Sequence, residues 1–295
     1  MRQTTINRAV DSVGIGLHKG EPIKISLEPL EANSGIVFYR SDVGLSIKAS
    51  PQNVVNTQMA TVIGDEKNHI STIEHLLSAV YSYGIDNLLI TLDSAEVPVM
   101  DGSGISFCML LDEAGVRKLD INKSVLIIKR EIEVVQGKKF AKVKPSSKPM
   151  YDFVIDFTHP AIGVQKYSFE FSKKAYIEEI SRARTFGFLK DVQYLRSRGL
   201  ALGGSMENAI VLDDKKILNP EGLRFKDEFV RHKILDAIGD LALLGSPIIG
   251  AYESFAGSHS LNHLLTKEIL KDSKNYEIKE LSIEQSMEML SEVFA

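Results

Sequence analysis

The sequence predicts an α+β fold built from two copies of one unit, each a sheet with two helices on one face, that can pack helix layer to helix layer. Two observations carry this expectation. A run of helix, glycine, strand, loop and helix occurs from about residue 71 and again from about residue 228, each time after several strand-like segments. The long helix of each run also carries polar residues away from its apolar stripe, so two such units can bury their helix layers against each other. A chain of 295 residues has room for two domains of ordinary size, placed at 1–120 and 125–295.

The elements follow from local patterns. Residues 4–50 read as short strands with turns; 23–27 alternates apolar and polar residues, and 35–40 does so less strictly. Glycines 14, 16 and 20 predict a turn or bulge, because no long helix follows them as a dinucleotide fingerprint would need. The run 56–63 is strand-like. A helix is expected over 71–83, with Ile73, Leu76, Leu77 and Val80 as its buried stripe and Gly84 as its stop. Ser71 and Glu74 have the S-x-x-E spacing of a capping box. A buried strand at 88–92, a loop at 97–104 and a helix at 107–114 ended by Gly115 complete the first run.

The polar stretch 117–124 predicts a linker. Strands resume at 125–129, 132–135, 140–143 and 151–157. Residues 172–198 read as two helical pieces, 176–180 and 188–197, and the pair Gly203-Gly204 forces a turn before a short strand at 209–212. A helix at 228–244, a strand at 248–252 and a helix at 260–270 form the second run. The tail, 276–295, predicts a charged amphipathic helix.

Composition narrows the function. Net charge is −4 with both signs interspersed, so no nucleic-acid partner is expected. Cys108 is the only cysteine, which leaves no disulfide framework or cysteine-based zinc site and fits a reducing compartment. The start lacks the apolar run of a signal peptide, and no stretch approaches the ~20 apolar residues of a transmembrane span. A cytoplasmic location is expected, which leaves room for a lipid-like substrate taken from a membrane surface.

The candidate chemistry centres on the helix at 228–244. His232, Asp236 and Asp240 stand four residues apart on one face, and an imidazole and a carboxylate at that spacing can close on one metal ion. Any surface helix can show such a row. If the helix at 71–83 faces this one, His75 adds a third ligand, and two histidines, a carboxylate and an open position suit a catalytic zinc site. Glu74 can take a proton from a water there, although its spacing from Ser71 favours a cap. His259 is a general acid, an oxyanion stabiliser or a polar helix start. Asp240 can hold a histidine's second nitrogen. Lys233 can meet a phosphate or simply solvent. The Thr185 hydroxyl can donate to an oxyanion or cap a helix. Phe186 can stack on a base or fill the core, and His18 is a weak ligand candidate.

Taken together, Gly14-Ile-Gly-Leu-His, Ser71-Thr-Ile-Glu-His-Leu-Leu-Ser-Ala, Gly84-Ile-Asp-Asn, Met100-Asp-Gly-Ser, Asp156-Phe-Thr-His-Pro, Ser181-Arg-Ala-Arg-Thr-Phe-Gly-Phe, Leu202-Gly-Gly-Ser, Phe229-Val-Arg-His-Lys-Ile-Leu-Asp-Ala-Ile-Gly-Asp and Gly257-Ser-His-Ser-Leu-Asn resemble, in order, the UDP-3-O-acyl-N-acetylglucosamine deacetylase (LpxC) family. The resemblance covers about residues 3–270. It implies a metal-dependent amidohydrolase of the committed step of lipid A biosynthesis in Gram-negative bacteria, acting on a small-molecule UDP-sugar lipid. It implies His75, His232 and Asp236 as ligands of Zn²⁺, with Fe²⁺ possible at such a site. Glu74 becomes the general base, reversing the capping preference. His259 becomes the acid or oxyanion-stabilising group with Asp240 behind it, and Thr185 the oxyanion threonine. Lys233, Phe186 and Lys144 become substrate contacts. The resemblance implies two duplicated β-α-α-β domains packed helix layer to helix layer, each with a small insert, near 40–65 and 190–215, the second forming an acyl-chain passage that includes Leu200. A complete site within one chain implies a monomer. Two other readings stand beside this one: a metal hydrolase of a related N-acyl or O-acyl nucleotide sugar, and a metal-stabilised protein that binds a nucleotide sugar without turnover.

Overall fold

The computed structural model describes residues 1–281 and Val293. Six α-helices lie among them: α1 (Glu74–Ser82), α2 (Ile105–Ala114), α3 (Lys173–Ala175), α4 (Leu189–Ser197), α5 (Glu228–Ala242) and α6 (His259–Lys271), with α3 running on into a π-turn at Tyr176–Ile180. Together with several β-sheets they make the α+β fold that the periodicities predict.

Two five-stranded sheets share one plan. The first has the order Val10–Ile15, Pro22–Pro29, Leu88–Leu92, Ile36–Arg40, Leu45–Lys48, and the second has Ile132–Gln136, Lys139–Lys144, Ala251–Phe255, Met150–Asp156, Val164–Glu170. In each, the middle strand pairs antiparallel with the second and parallel with the fourth. Alternation sets the buried faces: Ile23, Ile25 and Leu27 in the first sheet, and Tyr151, Phe153 and Ile155 in the second, all point into the core. Gly250 divides the predicted strand 248–252, so that Ile248–Ile249 joins Ser124–Ile128 and only Ala251–Phe255 joins the main sheet.

The helix layer lies between. α1 packs directly against α5. All of α1 is buried, and in α5 only Arg231, Lys233 and Ala242 escape burial. The polar row of α5 therefore faces protein and not water. Gly239 permits the approach, since a Cβ there would stand 2.0 Å from the Glu74 carbonyl oxygen, which is backbone and cannot swing away. Gly239→Ala is expected to cost about 1–3 kcal/mol through overpacking, read by urea unfolding; a variant as stable as the parent contradicts so close a crossing.

Four local expectations need correction. The predicted linker 117–124 is largely the strand Val116–Asn122, paired antiparallel with Arg2–Ile6; only Leu119 of it is buried, so it shows no apolar alternation. The predicted tail helix begins as a strand, Tyr276–Glu280, paired with Ser124–Ile128, and the rest of it lies outside the described residues except Leu281 and Val293. Of the three glycines expected in a turn or bulge, Gly14 lies within a strand, while the Gly20 N–H closes a turn onto the Gly16 carbonyl at 3.0 Å. The capping box does not form: α1 has no side-chain cap, and the Ser71 hydroxyl donates to the Ala95 carbonyl at 3.4 Å. Between Ser71 and Glu74 stands Thr72 at φ +60°, a left-handed conformation that a β-branched residue rarely adopts. Its hydroxyl donates to Glu96 at 3.3 Å. That twist sends the chain into α1 with Glu74 turned inward.

Candidate active site

The crossing of α1 and α5 brings three of the predicted residues together. Donor atoms of His75, His232 and Asp236 all lie within 4.8 Å of one another, and all three residues are buried. Asp236 Oδ1 stands 3.6 Å from His75 Nε2 and 3.3 Å from His232 Nε2. Ligands bonded at about 2.0–2.1 Å to a tetrahedral ion stand about 3.3 Å apart, so the set has the spacing and the chemistry of a zinc-type site. Asp236 Oδ1 and His75 Nδ1 are buried without a hydrogen-bond partner, and a buried carboxylate oxygen left so is costly unless a cation meets it. The His232 Nδ1–H donates to the Ala183 carbonyl at 3.0 Å, which fixes Nε2 as the lone-pair nitrogen.

Electrostatics agree with a ligand role. Burial, and then the neighbouring His232, pushes His75 down to about 3, and burial lowers His232 as well, so both imidazoles are neutral at physiological pH. Burial alone would raise Asp236, but the cations around it, His232 when protonated and the Lys233 ammonium, outweigh it and hold the carboxyl below the usual range. The Lys233 Nζ donates to Asp236 Oδ2 at 2.6 Å while its side chain lines the adjoining cavity.

Glu74 and His259 form a second group beside the first. Glu74 Oε1 stands 3.7 Å from His259 Nε2, and its Oε2 accepts the Thr61 N–H at 3.0 Å. Burial, reinforced by Asp240 and Asp236 and only partly opposed by His259, pushes Glu74 up to about 7. His259 rises to about 9, because Asp240 and Glu74 outweigh the opposing effect of burial. The His259 Nδ1–H donates to Asp240 Oδ2 at 2.8 Å, as the sequence suggests for Asp240.

The segment 183–186 closes one side. Ala183 holds His232, and Arg184 is buried in a pair with Glu228 at the start of α5, Nε to Oε1 2.9 Å. The Thr185 N–H donates to Gly102 and its carbonyl accepts from Ile210, both at 2.8 Å, so its side chain is presented to the cavity from a fixed backbone. Phe186 packs edge-on against Phe229 at 4.9 Å and also lines the cavity.

That cavity measures about 550 Å³ and runs from Glu74, His75, His232, Asp236 and His259 to an apolar arm. Leu189, Val192 and Leu195 of α4, at helical spacing, line the arm together with Ala201, Met206, Val211 and Leu218. No residue of α4 is buried, so its apolar stripe faces this space instead of a core. Leu200 lines an adjoining cavity of about 690 Å³, which shares His18, Met59 and Leu195 with the first. Lys144 is not among the lining residues; its ammonium pairs with Glu253 on the second sheet. His18 is at the cavity wall, its N–H held by Glu96 at 3.1 Å.

Sequence reasoning missed Thr61, Asn262 and Tyr252, which stand behind Glu74 and Asp240. Thr61 lies in a run whose pattern shows only a strand, and Asn262 ends the Gly257-Ser-His-Ser-Leu-Asn motif with nothing in its spacing to assign it a role.

A family model described as UDP-3-O-acyl N-acetylglycosamine deacetylase matches residues 3–271. Similar proteins each carry the name UDP-3-O-acyl-N-acetylglucosamine deacetylase. One from Campylobacter jejuni (strain RM1221) is 65% identical, and one from Campylobacter fetus subsp. fetus (strain 82-40) is 64% identical, each over 100% of both chains. One from Campylobacter curvus (strain 525.92) is 64% identical over 96% of both chains.

Proposed function

This chain belongs to the UDP-3-O-acyl N-acetylglycosamine deacetylase family, and on that premise we propose how its own residues carry out the reaction. The protein removes the 2-acetyl group of UDP-3-O-acyl-N-acetylglucosamine, leaving the free amine and acetate, a step of lipid A biosynthesis. The observation that carries the reading is the pair Glu74 and His259, 3.7 Å apart beside the His75–His232–Asp236 group, at the base of a cavity with an apolar arm.

His75, His232 and Asp236 hold the metal, which we read as zinc. When bound, the ion supplies a Lewis acid that lowers the pKa of a water toward ~7. Glu74 then takes a proton from the attacking water as the C–O bond forms at the acetamide carbon. The Thr185 hydroxyl donates to the developing oxyanion. His259, oriented by Asp240, delivers a proton to the departing nitrogen as the C–N bond breaks. Lys233 and Phe186 meet the UDP-sugar near the ligands, and the α4 arm takes the acyl chain. Lys144 meets the UDP-sugar from the second sheet, and Leu200 meets the acyl chain from the adjoining cavity. We also read the two five-stranded sheets as the cores of two domains, 1–120 and 125–295, that meet at α1 and α5 within a working monomer.

Incubation with UDP-3-O-acyl-N-acetylglucosamine is expected to release one acetate per substrate with the acyl ester intact. Release of the fatty acid in place of acetate would move the protein to the related nucleotide-sugar hydrolases, and release of neither would sink the enzymatic reading.

A further inference from the structure

Asp240 is held from three directions. Its Oδ1 accepts the Thr61 hydroxyl at 2.5 Å, and its Oδ2 accepts both His259 Nδ1–H and Asn262 Nδ2–H at 2.8 Å. The Asn262 amide is itself oriented, because its Oδ1 accepts the Tyr252 hydroxyl at 2.7 Å. Thr61 does a second thing with its backbone, donating its N–H to Glu74 Oε2 at 3.0 Å. Thr61, Asn262 and Tyr252 are each no more than 2% exposed, so water does not compete for these bonds.

The cradle has a geometric consequence. A carboxylate with one partner can rotate about its last bond, whereas Asp240 is held at both oxygens and keeps Oδ2 on His259. The imidazole is thereby oriented with Nδ1 behind and Nε2 toward Glu74. Thr61 occupies Glu74 Oε2 at the same time, which leaves Oε1 as the oxygen facing His259. One residue thus references the proton acceptor on α1 and the carboxylate on α5 to a common point. We propose that Thr61, Asn262 and Tyr252 are positioning residues that hold Glu74 and His259 in register for proton transfer. They do not touch the substrate. This inference rests on the deacetylase reading above.

Thr61→Val removes the hydroxyl at nearly constant shape, and Thr61→Ser keeps it. With thermal melting measured in parallel, Thr61→Val is expected to lower kcat ~10- to 100-fold, the usual effect of removing a group that orients an active residue. KM should stay within about twofold, and Thr61→Ser should recover most of the rate. A purely structural role predicts instead a lower melting temperature with kcat retained in the folded protein, and that result, or a kcat equal to the parent's, overturns the proposal. Should Thr61→Val not fold, Tyr252→Phe reads the same relay: a lower kcat at unchanged KM supports it, and an unchanged kcat overturns it. A parent protein that releases no acetate overturns the deacetylase reading itself, and this inference with it.

Discussion

Replacing Glu74 with Gln is expected to lower turnover by ~10²- to 10⁴-fold and to leave substrate binding in place. Gln has the same shape, and its side-chain carbonyl can still accept the Thr61 N–H that now binds Glu74 Oε2 at 3.0 Å. What it cannot do is take a proton. The loss corresponds to about 3–5 kcal/mol of transition-state stabilisation. Calorimetric titration with the intact substrate measures binding, and acetate release measures kcat. A variant with normal turnover removes Glu74 from the reaction. The experiment also separates an enzyme from a protein that only binds nucleotide sugars, because a binder would lose nothing on this substitution.

The second large effect concerns the metal. Purified protein is expected to carry about one equivalent of zinc or iron, and His75→Ala is expected to lose both the ion and the activity. Two residues of α5 remain in that variant, but two ligands without the third no longer make the closed triangle around Asp236 Oδ1. Chelation of the parent should act in the same direction on stability. A ligand present at a hundredfold over its Kd stabilises the native state by about 2.7 kcal/mol, so the melting temperature should fall on chelation and return with added zinc. Elemental analysis and thermal melting check both. A protein with no bound zinc or iron, whose His75→Ala variant deacetylates normally, would falsify the site assignment.

Much of this architecture can be read from residue patterns, and the exceptions have physical causes. The stripe of Ile73, Leu76, Leu77 and Val80 announces α1, and the motif around His232 announces α5, because buried helices must repeat apolar residues at their own period. The strand Val116–Asn122 carries no such signal: it is an exposed ribbon held by backbone pairing to Arg2–Ile6, and backbone hydrogen bonds leave no trace in side-chain identity. The Ser71–Glu74 spacing misleads because a capping box assumes ordinary backbone between its ends, and Thr72 at φ +60° breaks that assumption. The spacing of His232 and Asp236 allows a metal group without requiring one, since any surface helix can carry such a pair, and it is the ordered motifs along the whole chain that single these residues out. Thr61 and Asn262 were not legible, since neutral polar residues are common on any strand or helix and their partners lie far away in sequence.

The crossing at Gly239 also has a consequence for how the protein comes into being. His75 is on α1, whereas His232 and Asp236 are on α5, so a growing chain holds one of the three candidate ligands until α5 has been made. At 5–20 residues per second, that interval is on the order of ten seconds. During it Glu74 has no His259 to face and no ion beside it. On the proposed reading, hydrolytic competence therefore waits for α5 to seat on α1 and for His259, at the start of α6, to follow it, and a chain cut short of α6 is born inert.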